Sequence, residues 1–274
     1  MGKLAEVLRA PAGAVDLSAI DTRATPGFEG KKADAQTQLP ELGARLATLQ
    51  EQLYAEGRTG GSRSVLLLLQ GMDTSGKGGT VEHVVGQVDP SGVQVVAFRR
   101  PTPEELEHDF LWRIRRRLPE PGMISAFDRS HYEDVVAVRV RGIAERRTWS
   151  RRYTTINRFE ERLAAQGTVI VKCFLHISPE EQRERLLARL DDPTKHWKYR
   201  PGDLEDRALW DDFQRAYSDA IERCSTDAAP WYVVPADRKW VRNLCVANIL
   251  HDVLTRLDPR YPPPEPGIES LVVE

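Results

Sequence analysis

Two spacings of apolar residues alternate along this chain. Leu42, Leu46, Leu49 and Leu53 recur at steps of three and four, which predicts an amphipathic helix over 40–56. A glycine-containing loop at 57–61 follows. Val65 to Leu69 then form an unbroken apolar run ending just before a glycine, the pattern of a strand buried on both faces in a parallel sheet. Similar runs predict strands at 93–98, 123–127, 168–177 and 231–235. Helical spacing fills the gaps, at 76–88, 102–118, 147–165, 179–190, 206–224 and 239–257. Strand and helix alternate, so the predicted class is α/β with a mainly parallel five-stranded sheet. Residues 1–38 carry Pro and Gly breaks among recurring apolar positions (Leu4, Val7, Leu8, Val15, Leu17, Ile20) and read as an extended arm over the surface. Residues 259–274, with Pro262-Pro263-Pro264, read as an irregular tail.

Composition narrows the partners. Apolar residues make up 41% and charged residues 29% of 274, which fits a globular chain able to bury a substantial core. The net charge of −2 offers no general attraction to nucleic acid or anionic lipid, so neither is expected as a partner. Any polyanion must be held by local basic clusters. Cys173, Cys224 and Cys245 form no CxxC pair and no disulfide framework, which suggests a reducing compartment. No run approaches the roughly 18 apolar residues of a membrane span. The expected location is the cytoplasm.

Gly71-Met72-Asp73-Thr74-Ser75-Gly76-Lys77 fits GxxxxGK, directly after the apolar run and before a helical pattern. That context separates a phosphate loop from an ordinary glycine-rich turn. Glycines allow backbone N–H groups to face an anion, and Lys77 adds a mobile positive charge. Gly71, Thr74, Ser75, Gly76, Gly78, Gly79 and Thr80 are the candidate phosphate-contacting positions around it. The Ser or Thr that usually follows the lysine and holds Mg²⁺ is replaced by Gly78. Asp73, a hard oxygen donor inside the loop, is the substitute candidate.

A second acid, Asp128, ends the strand at 123–127, where open α/β sheets place their ligands. It is a candidate metal ligand or proton acceptor, with helix capping as the plainer role. Arg129 beside it is a candidate phosphate clamp, and Glu133 could face an acceptor nucleotide. His131 and Tyr132 match no zinc spacing and read as supporting residues. Basic residues cluster twice, from Arg99 through Arg113 to Arg117, and at Arg183, Arg185, Arg189, Lys195, Lys198 and Arg200. Single arginines here can be ordinary surface charges, for example Glu181 pairing with Arg185 one helical turn on. As clusters they suit phosphate, because guanidinium pairs with it in bidentate fashion.

Five segments in order, LLLLQGMDTSGKGGTVEHV, FRRPTPEELEHDFLWR, FDRSHYEDVVAVRV, FLHISPEEQRERLLARLDDPTKHWKY and APWYVVPADRKWVRN, resemble the polyphosphate kinase 2 family. The resemblance spans about 42–257. It implies a three-layer, thymidylate-kinase-like P-loop fold, with an arm and helix at 1–60, a kinase domain at 61–258 and a helical lid near 179–205. It implies phosphoryl transfer between inorganic polyphosphate and a nucleotide (AMP, ADP or ATP, with guanine nucleotides as further candidates), with Mg²⁺ or Mn²⁺, in a homo-oligomer. The family's loop acid and lysine fall on Asp73 and Lys77, and its second acid and arginine on Asp128 and Arg129. Arg113 closes the FLWR segment. The lid cations map to Arg183, Arg185 and Arg189, with Lys195 and Lys198 as nucleotide-side candidates. Many relatives carry Asn at the place of Asp128. The segment SHYEDV resembles the subgroup that accepts AMP as well as ADP. The competing expectations are an ATP-dependent nucleoside monophosphate kinase and a non-catalytic nucleotide switch, although no [NT]KxD motif is present.

Overall fold

The structure, a computed structural model, describes residues 3–11 and 13–273. The elements run α1 (Lys3–Leu8), α2 (Lys32–Arg58), β1 (Ser64–Gln70), α3 (Lys77–His83), β2 (Val93–Ala97), α4 (Pro103–Leu106), α5 (Trp112–Arg115), β3 (Ile124–Asp128) and α6 (Ala137–Val140). They continue with α7 (Arg146–Ala165), β4 (Thr168–His176), α8 (Pro179–Leu190), α9 (Gly202–Ala208), α10 (Trp210–Cys224), β5 (Trp231–Pro235) and α11 (Lys239–Leu257).

The five strands form one parallel sheet in the order β2-β3-β1-β4-β5. Every residue of β1 is buried, as the unbroken apolar run requires of a central strand covered on both faces. The strand order reverses beside β1: the chain leaves for β2 and β3 on one side and crosses to β4 and β5 on the other. Loops at the C-terminal ends of β1, β3, β4 and β5 therefore converge, and a ligand crevice is expected there.

Three helix expectations change in detail. The predicted helix at 102–118 is two short ones, α4 and α5. Thr102 and Glu105 form a capping box that starts α4, and Asp109 accepts from Leu111 N (3.1 Å) to start a new turn before α5. The pattern at 206–224 breaks at Leu209 into α9 and α10. The helix after the phosphate loop ends at His83 and passes into a 3-10 turn at Val85–Gln87.

The N-terminal region differs most. Helix α2 begins at Lys32, eight residues before the predicted start, and runs through Pro40. An interior proline removes one helical hydrogen bond and costs about 3 kcal/mol. Pro40 and Gln36, whose carbonyl loses its partner, both face solvent, while Leu42, Leu46 and Leu53 bury against the core beside α11. Nor are the described residues before α2 merely draped over the surface. Ala5, Leu8, Val15 and Leu17 are buried, and Ala10 N donates to Trp231 O (2.8 Å) at the outer edge of β5. An unpaired strand edge is thereby covered. Thr22 Oγ1 donates to Asp237 Oδ2 (2.8 Å), which ties this region to the loop after β5. In the tail, Tyr261 Oη donates to Glu51 (2.7 Å) and a 3-10 turn spans Ile268–Ser270.

The three cysteines are buried and unpaired. Among the described residues no helix is long and apolar enough to cross a membrane.

Candidate active site

The loop after β1 folds as the phosphate-loop pattern demands. Gly76 has φ +102°, and a Cβ there would lie 1.7 Å from Arg242 Nη1. Only glycine satisfies both the left-handed backbone and the close approach. Gly76→Ala is expected to cost about 1–3 kcal/mol of stability and to lower turnover by displacing the loop. Urea unfolding together with an activity assay checks this, and an alanine variant equal to wild type in both would contradict it. Gly71 is likewise enclosed, its missing Cβ only 2.6 Å from Leu175 O. Gly78 faces open space, whereas Gly79 packs against Arg242.

Lys77 is buried and curls back over the loop, donating to Gly71 O (3.0 Å) and Met72 O (3.2 Å). Burial and the nearby Arg129 push its ammonium down, against the opposing pull of Asp128, Asp73 and Glu133. The two loops are thus close enough to act on one ligand. The hydroxyls of Thr74 and Ser75 are buried and have no partner among the described residues. Orphaned donors inside a glycine loop are what a phosphate would satisfy. Thr80 departs from its expected role: its buried hydroxyl donates back to Gly76 O (3.2 Å) inside α3.

Asp73 Oδ1 accepts from Arg129 Nη2 (2.5 Å), and Arg129 Nη1 reaches Glu133 Oε2 (3.4 Å). Burial alone would raise the Asp73 carboxyl. Arg129, Lys77, Arg189 and Arg141 outweigh that and hold it below its usual range. Glu133 and Asp73 in turn raise the Arg129 guanidinium, so it is a permanent cation. Gln70 lies beside Glu133, and with its amide turned so that the nitrogen faces that carboxylate it donates to Glu133 Oε1 (3.0 Å) while its oxygen accepts from Ser130. Arg129 and Thr74 are non-glycine residues at φ +66°. Such conformations cost about 1–2 kcal/mol each and persist where packing over-determines them.

Thr74 is held through its carbonyl by Arg185, and a buried ionic network lies under the turn that follows Arg129. Lys172 Nζ, at 0% exposure, donates to Glu160 Oε2 (2.6 Å), Tyr132 Oη (2.9 Å) and Cys224 O (2.6 Å). Glu160 Oε1 accepts from Tyr132 Oη (2.9 Å) and pairs with His131 Nε2 (3.1 Å). His131 and Tyr132, read from sequence as supporting residues, anchor the turn that carries Arg129 and Glu133. Lys172 and Glu160 escaped the sequence reading. Their signal was a lysine inside an apolar strand and a glutamate on the apolar face of α7.

The lid cations divide. Arg189 donates to Lys198 O (3.2 Å) and lies 3.5 Å from Asp203, with its charge felt at Asp73. Arg183 points to solvent. Arg185, expected to bind phosphate, has all five N–H donors engaged: Glu181 (2.8 Å), Thr74 O (2.8 Å), Ser75 O (3.2 Å), Ala236 O (2.7 Å) and Asp237 O (2.9 Å). It clamps the loop's carbonyls, which leaves it no donor for a ligand. Arg113 is buried, donates to Arg99 O (2.7 Å) and lies within ion-pair range of Glu105 (3.6 Å) and Asp134 (3.7 Å), set into the fold rather than extended into the crevice. Lys195 pairs with Asp192 (2.7 Å) and Lys198 stacks over Trp197, both exposed. The sequence did not single out Arg141, whose guanidinium makes a two-point pair with Asp206 of α9 beside Asp73 and Arg129.

Among the described residues no group of three or more His, Cys, Asp or Glu could hold a metal alone. Asp73 and Asp128 both lie close enough to Lys77 for their charges to act on it. One or two carboxylates completed by phosphate oxygens and water is the usual Mg²⁺ environment, so this donor set fits a divalent ion that arrives with its phosphate ligand.

Comparison with known proteins agrees with this geometry. A family model described as Polyphosphate kinase 2 (PPK2) matches residues 29–261. An AMP/ADP-polyphosphate phosphotransferase of Meiothermus ruber is 49% identical, covering 96% of this chain and 97% of its own length. An ADP-polyphosphate phosphotransferase of Rhodopseudomonas palustris is 41% identical over 92% of this chain and 90% of its own. The crystal structure of polyphosphate kinase 2 from Arthrobacter aurescens TC1 superposes with a TM-score of 0.95 at 52% identity, covering 98% of this chain and 94% of that one. A crevice built on a phosphate loop, an acid at the end of β3 and a chain matched almost end to end lead to one conclusion: the protein belongs to the polyphosphate kinase 2 family.

Proposed function

We propose that this protein is an enzyme that transfers phosphoryl groups between inorganic polyphosphate and the adenine nucleotides AMP and ADP. The observation that carries the reading is the joining of Asp73, Lys77, Asp128 and Arg129 at one sheet edge, in a chain aligned over 96% of its length with an AMP/ADP-polyphosphate phosphotransferase.

The chemistry needs positioning and charge neutralisation more than covalent help. The acceptor is a phosphate oxygen, already largely anionic at pH 7 because a phosphomonoester's second pKa is about 6. A general base is therefore unnecessary, and Asp128 serves better as a metal ligand. When bound, Mg²⁺ or Mn²⁺ would neutralise phosphoryl oxygens, held by Asp73 and Asp128. Lys77 can exchange its two carbonyl contacts for a phosphoryl oxygen. Arg129, kept between Asp73 and Glu133, is aimed across the same space and offsets charge as the phosphoryl group moves. Arg189 and Arg141, whose charges act on Asp73, lie where an anionic chain would approach, whereas Arg183 is exposed to solvent. The segment near 179–205 is the candidate lid, and its closure would exclude water as a competing acceptor.

A donor test decides the reading. Purified protein, Mg²⁺ and AMP or ADP are mixed with long-chain polyphosphate, and in parallel with ATP or GTP, and the nucleotides are resolved by chromatography. ADP or ATP formed from polyphosphate is expected. Product from ATP plus AMP with none from polyphosphate would make this an ordinary nucleoside monophosphate kinase. Binding without turnover would make it a switch.

A further inference from the structure

Arg242 lies in the first turn of α11 and is only 2% exposed, yet no carboxylate among the described residues answers its charge. Its Nε (3.0 Å) and Nη2 (2.8 Å) donate to the neutral Asn243 Oδ1, and Nη1 has no hydrogen-bond partner among the described residues. Burying an unpaired cation is strongly unfavourable, so folds rarely keep one without a counter-charge. Burial, joined by repulsion from Arg185, pushes its guanidinium down to about 10, far below the ordinary arginine value. This cation does not sit in an arbitrary place. The absent side chain of Gly76 would meet Nη1 at 1.7 Å, and that of Gly79 would meet Nη2 at 3.0 Å. The guanidinium is thus packed on Gly76, just before Lys77, and on Gly79, two residues after it.

We infer that Arg242 is a positioning residue of the phosphate loop, a buried cation whose missing counter-charge is the phosphoryl group bound in that loop. Arg185 shapes the same loop from its carbonyls. Because a trans peptide sets C=O and the following N–H on opposite sides, holding Ser75 O toward Arg185 turns the Gly76 N–H away from it. Arg185 thus fixes geometry while Arg242 adds charge. In the ligand-free protein that charge is a cost to the fold, and a bound phosphoryl group offsets it. The inference rests on the phosphate-loop reading above.

The test measures binding and stability together for wild type, Arg242→Met and Arg242→Lys. Inorganic tripolyphosphate and ADP are titrated separately by calorimetry with Mg²⁺ present, and thermal unfolding is followed without ligand. Arg242→Met is expected to raise the Kd of tripolyphosphate, of ADP, or of both by about tenfold, the size of one lost charge contact. The ligand affected identifies which phosphoryl group occupies the loop. The same variant is expected to unfold no earlier than wild type, since it removes an unpaired buried charge. Arg242→Lys, which keeps the charge, should bind close to wild type. Unchanged Kd values for both ligands in Arg242→Met would overturn the inference while leaving the phosphate loop intact. Weaker binding accompanied by a much lower unfolding temperature would also overturn it, because the residue would then be a structural strut. No binding of either ligand by wild type would overturn the phosphate-loop reading itself, and the inference with it.

Discussion

Replacing Lys77 by methionine is expected to lower kcat for polyphosphate-driven phosphorylation roughly a hundred- to a thousand-fold with the fold retained. The reason lies in what the ammonium touches. In the free protein Lys77 Nζ rests on two loop carbonyls, Gly71 O and Met72 O, at 3.0 and 3.2 Å. Under the proposed function, a phosphoryl oxygen would replace those carbonyls as its partner. Methionine keeps the stem's volume inside the loop and removes only the charge, so the cavity cost of a truncation to alanine is avoided. The removed ammonium was itself expensive to bury, which further limits the effect on stability. Steady-state kinetics with polyphosphate and ADP, alongside urea unfolding, would read both quantities. Near-normal turnover in a folded variant would remove Lys77 from the active site.

The second large effect concerns stability. Lys172→Met is expected to cost about 3–5 kcal/mol, because it leaves the Glu160 carboxylate buried without its main counter-charge. Against a typical total of about 5–15 kcal/mol this is severe, and a fall in Tm on the order of 10 °C should accompany it. The pH dependence gives a sharper check. In the wild type, burial would raise the Glu160 carboxyl, but Lys172 and His131 outweigh burial and hold it below its usual range. Its folded value is depressed, so its contribution is present above the unfolded pKa of about 4.3 and is lost as pH falls through the lower folded value. In Lys172→Met the balance reverses. The carboxyl is then raised by burial, the folded state binds the extra proton, and stability improves as pH falls from 7 toward 5. Denaturant titrations at several pH values would show the sign. A variant with wild-type stability and the wild-type pH slope would mean that the network does not hold the β3 loop.

These two residues also show how unevenly the site was legible. Lys77 was readable from local sequence alone, because strand, glycine loop and helix are contiguous and each part carries its own signal. Lys172 looked like an oddity in an apolar strand. Its partners come from α7, the β3 loop and α10, and no spacing rule links positions 132, 160, 172 and 224. Arg185 and Arg242 carry the same lesson with opposite outcomes. Arg185 fitted a phosphate-binding pattern, yet the fold directs all five of its donors to backbone carbonyls and Glu181. Arg242 drew no attention in the sequence, yet the fold lays it against Gly76 with no carboxylate partner among the described residues.

The sequence by itself determined the α/β class, the five strands, the phosphate loop and the acid that ends β3. Those features rest on short-range rules: two-face burial gives continuous apolar runs, and a tight anion-binding turn requires glycine. Tertiary structure alone decided how the cations are used. A guanidinium's role depends on which carboxylates, carbonyls and glycines are brought within a few ångströms, and those neighbours arrive from segments more than a hundred residues apart, as with Arg185 on Thr74 and Arg242 on Gly76. It also decided where α2 begins, since a helix can run through Pro40 only because the core packs its opposite face and the lost hydrogen bond lies toward water.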